Sequence, residues 1–281
     1  MIPDVQTRVP EIKLSLTRVG VNNVRKLIKI PRKGKRPIIL LVNLNCFVDL
    51  PSSQKGIHMS RNLEAINEIL EDITKKPVYE LEGLCEDIVR EITKRHEYAT
   101  RCEVGMESKL MMMRKTPAGQ KMQDFVKLFA NASAHKGAKP EMEKKVGVEI
   151  KGVIIHPSNG SEVCSTQRAN ATLIMEVPEG YFIKIEDLVA ILEESMSAKA
   201  YGFLTEKEEK QVITKAHRRY KSVETVVEDM LRGVVNKFNL PGETKITARC
   251  VAEESLFTYN SLAERAETFG KLKKEFNSTE N

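Results

Sequence analysis

The sequence predicts an α+β protein in which antiparallel sheet carries helices packed on one face. Three observations lead there. Strand-like runs and helical runs come in blocks rather than in strict βαβ alternation. The 281 residues are 41% hydrophobic and 30% charged, the balance of a globular chain with a sizeable core. Each half of the chain has a β-rich part, a helical pair and a returning strand, so two tandem units are expected, 1–137 and 138–281.

Residues 11–31 alternate loosely through Ile12, Leu14 and Leu16, then Val24, Leu27, Ile28 and Ile30, with Gly20 and Asn22-Asn23 between. That pattern reads as strand, turn, strand, or as a strand and a short helix. Residues 37–50 are a long β-rich run and the expected central strand. Ser60 is a good N-cap for a helix with Glu64 in its first turn and Leu63, Ile66, Leu70 and Ile73 on one face. Pro77 ends it. A second helix carries Leu81, Leu84, Cys85, Ile88 and Ile92 at helical spacing. The stretch from Glu97 to Arg114 alternates as a strand, and Met111, Met112 and Met113 read as packing residues rather than a metal box.

A third helix is expected over 118–136, with Phe125, Leu128, Phe129 and Ala132 inward. The stretch from Val146 to Val177 then places two apolar strands around a polar loop, Pro157 to Arg168. That loop holds Ser158, Cys164, Ser165, Gln167 and Arg168, with His156 at its edge. Polar and metal-capable side chains between two buried strands mark the expected place of a site. Helices follow near 184–199, 206–217 and 221–237. The last has Val223, Val226, Val227, Met230, Leu231 and Val234 on one face. Pro241-Gly242 turns the chain into a final strand, Thr244–Val251. A closing helix over Ala263–Glu275 and a frayed tail are expected.

Charge and cysteines exclude several classes. A net charge of +6 is mild, and Lys and Arg interleave with Asp and Glu. The one basic cluster, Lys29 to Arg36, reads as a solvated turn between strands. With no aromatic stripe beside it, nucleic acid is not expected as a partner. No apolar run approaches the length of a membrane helix, and Met1-Ile2-Pro3-Asp4 lacks the order of a signal peptide, so a cytoplasmic protein is expected. The five cysteines, Cys46, Cys85, Cys102, Cys164 and Cys250, are scattered and form no CxxC pair. They read as buried thiols, except Cys164 in its polar loop. There is no GxGxxG and no GxxxxGK[ST], hence no phosphate loop.

The ligand-type residues are few: His156, Cys164, Glu209 and His217. Glu224 stands beside Val223 at the start of the best amphipathic helix. A carboxylate there is favoured by the helix dipole. It can also grip two N–H groups on the edge of a guanine-like ring.

The runs P-E-I-K-L-S-L-T-R-V-G-V, K-R-P-I-I-L, F-V-D-L-P-S, K-G-I-H-M-S-R-N, H-E-Y-A-T-R, T-Q-R, K-A-H-R and E-S-L-F-T-Y-N-S-L-A-E-R resemble the metal-dependent GTP cyclohydrolases. Within them the chain is more similar to the archaeal Fe(II)-dependent enzyme of methanopterin synthesis than to the bacterial type IB enzyme of folate synthesis. The resemblance covers residues 3–275. It implies a tunnelling fold (T-fold) of two tandem units, assembled into a homo-oligomer with sites between subunits. It also implies a metal-ligand Glu at Glu209, a guanine-anchoring Glu at Glu224, and substrate contacts at His58, Gln167 and Arg168.

Four departures from the family pattern follow. Where the family has a C-P-C turn, this chain has His156-Pro157-Ser158. Where it has a His before the Gln-Arg, this chain has Ser165. The H-x-H of the last strand reads Phe257-Thr258-Tyr259. A long insert between the C-P-C turn and the Gln-Arg is reduced to Asn159–Cys164.

Tyr259, with a reference pKa of about 10, is a poor proton shuttle near neutral pH. The reading that follows is a degenerate relative that keeps the scaffold, and purine or pterin binding through Glu224, but not GTP ring opening. It could pair with an intact cyclohydrolase paralogue. The alternatives are a divergent enzyme in which His156, Cys164 and Glu209 supply an N/S/O set for Fe(II) or Zn, and an active cyclohydrolase using other residues.

Overall fold

The computed structural model describes residues 13–32, 35–54, 56–72, 80–136, 141–157 and 164–279. The chain divides into two compact units, residues 1–109 with 129–146, and residues 110–128 with 147–281. The stretch 110–128 thus groups with the later half.

In the first unit, β1 (Leu16–Arg32) and β2 (Lys35–Leu50) form a long antiparallel hairpin. Strand β1 is continuous where a strand-turn-strand was an open reading. The Asn22-Asn23 punctuation is a bulge: the register shifts between Val21 and Val24, and Asn23 has φ 57°. Asn tolerates that left-handed conformation better than most residues, and here Asn45 Oδ1 accepts the Asn23 N–H at 2.9 Å. The basic turn joins β1 to β2 with Arg32 opposite Lys35, and Lys33 and Gly34 lie outside the described residues. Strand β2 alternates as expected, with Leu40, Val42, Leu44, Cys46, Val48 and Leu50 buried.

Helix α1 (Met59–Asp72) begins before Ser60, so Ser60 sits in its first turn and does not cap it. Ile66 is buried but Leu63, on the edge of that face, is 39% exposed. Ile73 and Pro77 lie outside the described residues. Helix α2 (Leu81–Arg95) buries Leu81, Leu84, Cys85, Ile88 and Ile92, the face that its spacing predicts. Strand β3 (Arg101–Lys115) alternates and pairs with β2. Its Met111 and Met113 are 46% and 59% exposed, so they are not packing residues within this chain.

The expected helix over 118–136 is a strand, β4 (Lys121–His135). Phe125 is 61% exposed, whereas Val126, Leu128, Ala130 and Ala132 are buried with period two. The turn before it makes the difference. Gly119, at φ 88°, lets the chain reverse after β3, with Thr116 N–H on Gln120 O and Gly119 N–H on Thr116 O, each at 2.9 Å.

In the second unit β5 (Glu141–Pro157, of which residues 147–157 belong here) and β6 (Cys164–Glu176) are the two predicted strands of the central stretch. The polar loop is shorter than expected. Cys164, Ser165, Gln167 and Arg168 already belong to β6, and Ser158 lies outside the described residues.

Helix α3 (Ile185–Ser195) stops short of 199, because Ala198 and Lys199 form β7 against Val153 and Gly152 of β5. Helices α4 (Glu206–Ala216) and α5 (Val223–Lys237) stand where the periodicity put them. All six apolar residues of the α5 stripe are buried.

Strand β8 (Lys245–Glu253) lies between β6 and β9 (Asn260–Thr268), and only then does α6 (Phe269–Thr279) begin. The expected helix over 263–275 is therefore half strand. Pairing with β8 overrides the good helix propensity of Leu262-Ala263-Glu264-Arg265-Ala266. Tail residues 276–279 continue α6, which Phe269 and Leu272 anchor in the core. No helix among the described residues is long and apolar enough to cross a membrane.

Candidate functional site

A cavity of about 240 Å³ lies where the ends of β5, β6 and β8 meet the start of α5. Ile154, His156, Gln167, Ser222, Val223, Glu224, Glu254 and Ser261 line it. The end of β5 is pinned on two sides. Ile155 N–H donates to Ser197 Oγ at 3.1 Å, and Lys221 N–H donates to Ile155 O at 3.0 Å. The second of these bonds sets the entry to α5 beside β5, which is how His156 and Glu224 come to share one cavity.

Ser222 is the N-cap of α5 and accepts the Thr225 N–H at 3.3 Å. Glu224 follows in the first turn, on the exposed side of the helix. Its carboxyl is held below the usual range, foremost by a hydrogen bond with the Ser222 side chain, then by its own backbone N–H, with attraction to His156 adding to them. The group is therefore an ionised acceptor near neutral pH. Below it, Cys250 of β8 is buried. Its thiol is pushed up to about 12 by burial and by the charge of Glu224.

Gln167 is 5% exposed and donates through Nε2 to Glu254 Oε2 at 2.5 Å. The other carboxylate oxygen of Glu254 accepts from Ser261 Oγ. Glu254 thus ties two neighbours together, and Glu224, on the exposed side of α5, keeps lone pairs beyond its bonds with Ser222 and its own N–H. A second cavity of about 420 Å³ shares Glu224 and opens between α5, β9 and α6, over Val227, Leu231 and Phe276.

Of the residues singled out from the sequence, His156, Gln167 and Glu224 come together in the smaller cavity, and the others do not line it. Glu209 is exposed on α4. Its neighbour Glu208 is buried, and both oxygens are taken: Oε2 by Thr205 N–H and Oγ1, Oε1 by Ala118 N–H. His217 caps the other end of α4, with Nδ1 2.9 Å from Ile213 O.

Cys164, half-buried at the start of β6, contacts the Tyr220 hydroxyl. Ser165 is half-buried beside it, and Arg168 is exposed opposite Glu253 of β8. Tyr259 is 59% exposed and stacks on Phe257, with ring centroids 5.1 Å apart. His58 is half-buried just before α1, in the first unit. The remaining cysteines, Cys46, Cys85 and Cys102, are buried thiols whose pKa values burial raises.

Among the described residues no three His, Cys, Asp or Glu side chains form a group that could hold a metal ion. Ser222, Glu254 and Ser261 were not singled out from the sequence. Ser222 carries an N-cap signature, and the other two begin and end the E-S-L-F-T-Y-N-S run, but nothing in either pattern shows that they share a cavity with His156.

The fold is that of the tunnelling-fold proteins. The uricase from Arthrobacter globiformis superposes with a TM-score of 0.52 at 8% identity, covering 90% of this chain and 93% of that one. A uricase from Bacillus fastidious gives 0.55 at 10%, covering 93% and 96%. At such identities the likeness is one of fold alone.

The chain itself belongs to the GTP cyclohydrolase family described as type I GTP cyclohydrolase folE2, whose profile matches residues 2–263. GTP cyclohydrolase MptA of Methanocaldococcus jannaschii is 39% identical over 308 residues, spanning 99% of this chain and 98% of the relative. GTP cyclohydrolase MptA 2 of Methanocella arvoryzae is 38% identical over 305 residues, spanning 98% and 99%. In the first alignment, 308 positions against a chain of 281 leave at least 27 at which the relative has residues and this chain has none.

Proposed function

We propose that this protein is a member of the GTP cyclohydrolase family that holds a purine or pterin ring through Glu224 without opening GTP. The observation that carries the reading is the content of the smaller cavity. It joins the ionised, unsaturated carboxylate of Glu224 to Gln167 and Ser222, and it holds one metal-ligand type side chain apart from carboxylates, His156. A carboxylate can accept two parallel hydrogen bonds from the N–H edge of a guanine or pterin. Among the described residues no three His, Cys, Asp or Glu side chains form a group that could hold a cation that activates water.

The residue identities support the same reading. Ser165, Phe257 and Tyr259 stand where the resemblance places histidines, and His156 and Ser158 stand where it places cysteines. The positions that relatives have and this chain lacks are in keeping with the reduced segment at Asn159–Cys164. The protein assembles as a homo-oligomer, or with an intact cyclohydrolase paralogue whose residues complete the site.

Calorimetric titration of the full chain with guanosine and with neopterin, alone and mixed with the paralogue, tests the binding. Binding that falls at least about tenfold in Glu224→Gln is expected, since a charge-assisted pair is lost. Anaerobic incubation with GTP and Fe(II) tests the chemistry. A pterin product that disappears in His156→Ala would overturn the reading in favour of a rebuilt metal site.

A further inference from the structure

The site around Glu224 shares that residue with the larger cavity, and that cavity is acidic. Glu224, Glu228, Glu264 and Glu275 line it against two cations, Arg232 and Arg265. Both guanidinium groups have neighbours already. Arg265 pairs with Glu275 at 2.5 Å and reaches Glu267 at 3.9 Å. Arg232 lies over the Phe276 ring, 5.3 Å from its centroid. Glu264 faces Arg249 at 3.6 Å. Glu224 and Glu228 are one helical turn apart on the exposed side of α5 and repel each other. Among the described residues no Lys lines either cavity, and the smaller one adds a fifth carboxylate, Glu254.

We infer that this site takes its purine or pterin as the uncharged base or nucleoside and discriminates against the nucleoside triphosphate. The inference rests on the reading of Glu224 as the ring anchor. A ring held at Glu224 has both carboxylate-lined cavities beside the anchor. A neutral sugar or polyol chain fits a cavity with an apolar floor and acceptor-rich walls. A triphosphate placed there meets carboxylates of its own sign, which outnumber the guanidinium groups four to two, and the Arg265 guanidinium is already paired with Glu275. The discrimination comes from that repulsion rather than from any added attraction to the nucleoside. Because the walls are solvent-facing, the repulsion is screened by salt.

The experiment compares GTP with guanosine by calorimetry on the full-length protein at low and high sodium chloride. Guanosine is expected to bind at least about tenfold tighter at low salt, with the gap closing as salt screens the carboxylates. Glu228→Gln is expected to narrow the GTP-to-guanosine ratio by roughly threefold at low salt and to have little effect at high salt. GTP binding as tightly as guanosine, or a gap that Glu228→Gln and salt leave unmoved, overturns the inference while leaving Glu224 as the anchor. Binding of neither ligand overturns the anchor, and the inference with it.

Discussion

Gln167 and Glu254 are joined by a 2.5 Å hydrogen bond from Nε2 to Oε2, and this contact ties the start of β6 to the end of β8 beside the candidate site. The connection is doubled nearby by Ser255 Oγ, which donates to Thr166 O at 2.8 Å. Gln167 is 5% exposed, so its amide has few other partners. Glu254→Ala is expected to lower stability by about 1–3 kcal/mol, because a buried donor loses its acceptor. Urea unfolding measures it. An unshifted midpoint would show that water replaces the carboxylate without cost.

Glu208 joins the first turn of α4 to the β3–β4 turn. Hydrogen bonds with Thr116, Thr205 and Ala118, the Thr116 side chain foremost, hold its carboxyl down to about 2. A carboxylate whose folded pKa lies below its ordinary 4.5 adds stability above pH 4.5 and loses it as pH falls toward 2. Glu208→Gln is expected to lower Tm at neutral pH and to flatten the acid limb between those two values. Thermal melts across that range check both.

His96 is buried, with Nε2 2.8 Å from Asn62 Oδ1 and Nδ1 2.8 Å from Tyr98 Oη. Burial, aided by the charge of Arg61, lowers its pKa from 6.5 to about 4. The unfolded chain therefore takes up this proton first, and stability falls as pH drops from 6.5 to 4. Above 6.5 the residue contributes no pH dependence. His96→Gln is expected to be less stable at pH 7, with a shallower decline through that window. Denaturant midpoints at several pH values give the slope, and an unchanged slope would exclude His96 as its source.

Gly20 of β1 sits opposite Phe47, where a Cβ would stand 1.9 Å from the Cys46 carbonyl oxygen. Backbone cannot yield as a flexible side chain does. Gly20→Ala is expected to cost about 1–3 kcal/mol through forced strand displacement, read as a lower urea midpoint. A variant as stable as the parent would mean that the β1 bulge absorbs the added methyl.

The strongly periodic elements were legible from residues alone. Helices α2 and α5 bury the stripes that their spacing predicts, and β2 alternates from Leu40 to Leu50. Such patterns are local, because a helix face or a strand face is written at fixed spacing along the chain. Strands β4 and β9 were not legible as strands. Phe125, Leu128, Phe129 and Ala132 satisfy a helical spacing, as do good helix formers around Ala263, and only pairing with a neighbouring strand decides against it.

The site divides in the same way. Sequence by itself determined the family and the residue types on offer, including the missing histidines and cysteines, since these are matters of identity. Tertiary structure decided which of them meet. His156 and Gln167 flank one loop, but Glu224 lies far from both in the chain, and it shares their cavity because the Lys221–Ile155 bond seats α5 beside β5. Glu209 is an exposed helix residue like Glu224, yet it lines neither cavity. Glu208 bonds Thr205 in a capping box that T-x-x-E spacing records, but its tie to Ala118, which seats α4 on the β3–β4 turn, joins distant segments and no spacing records it.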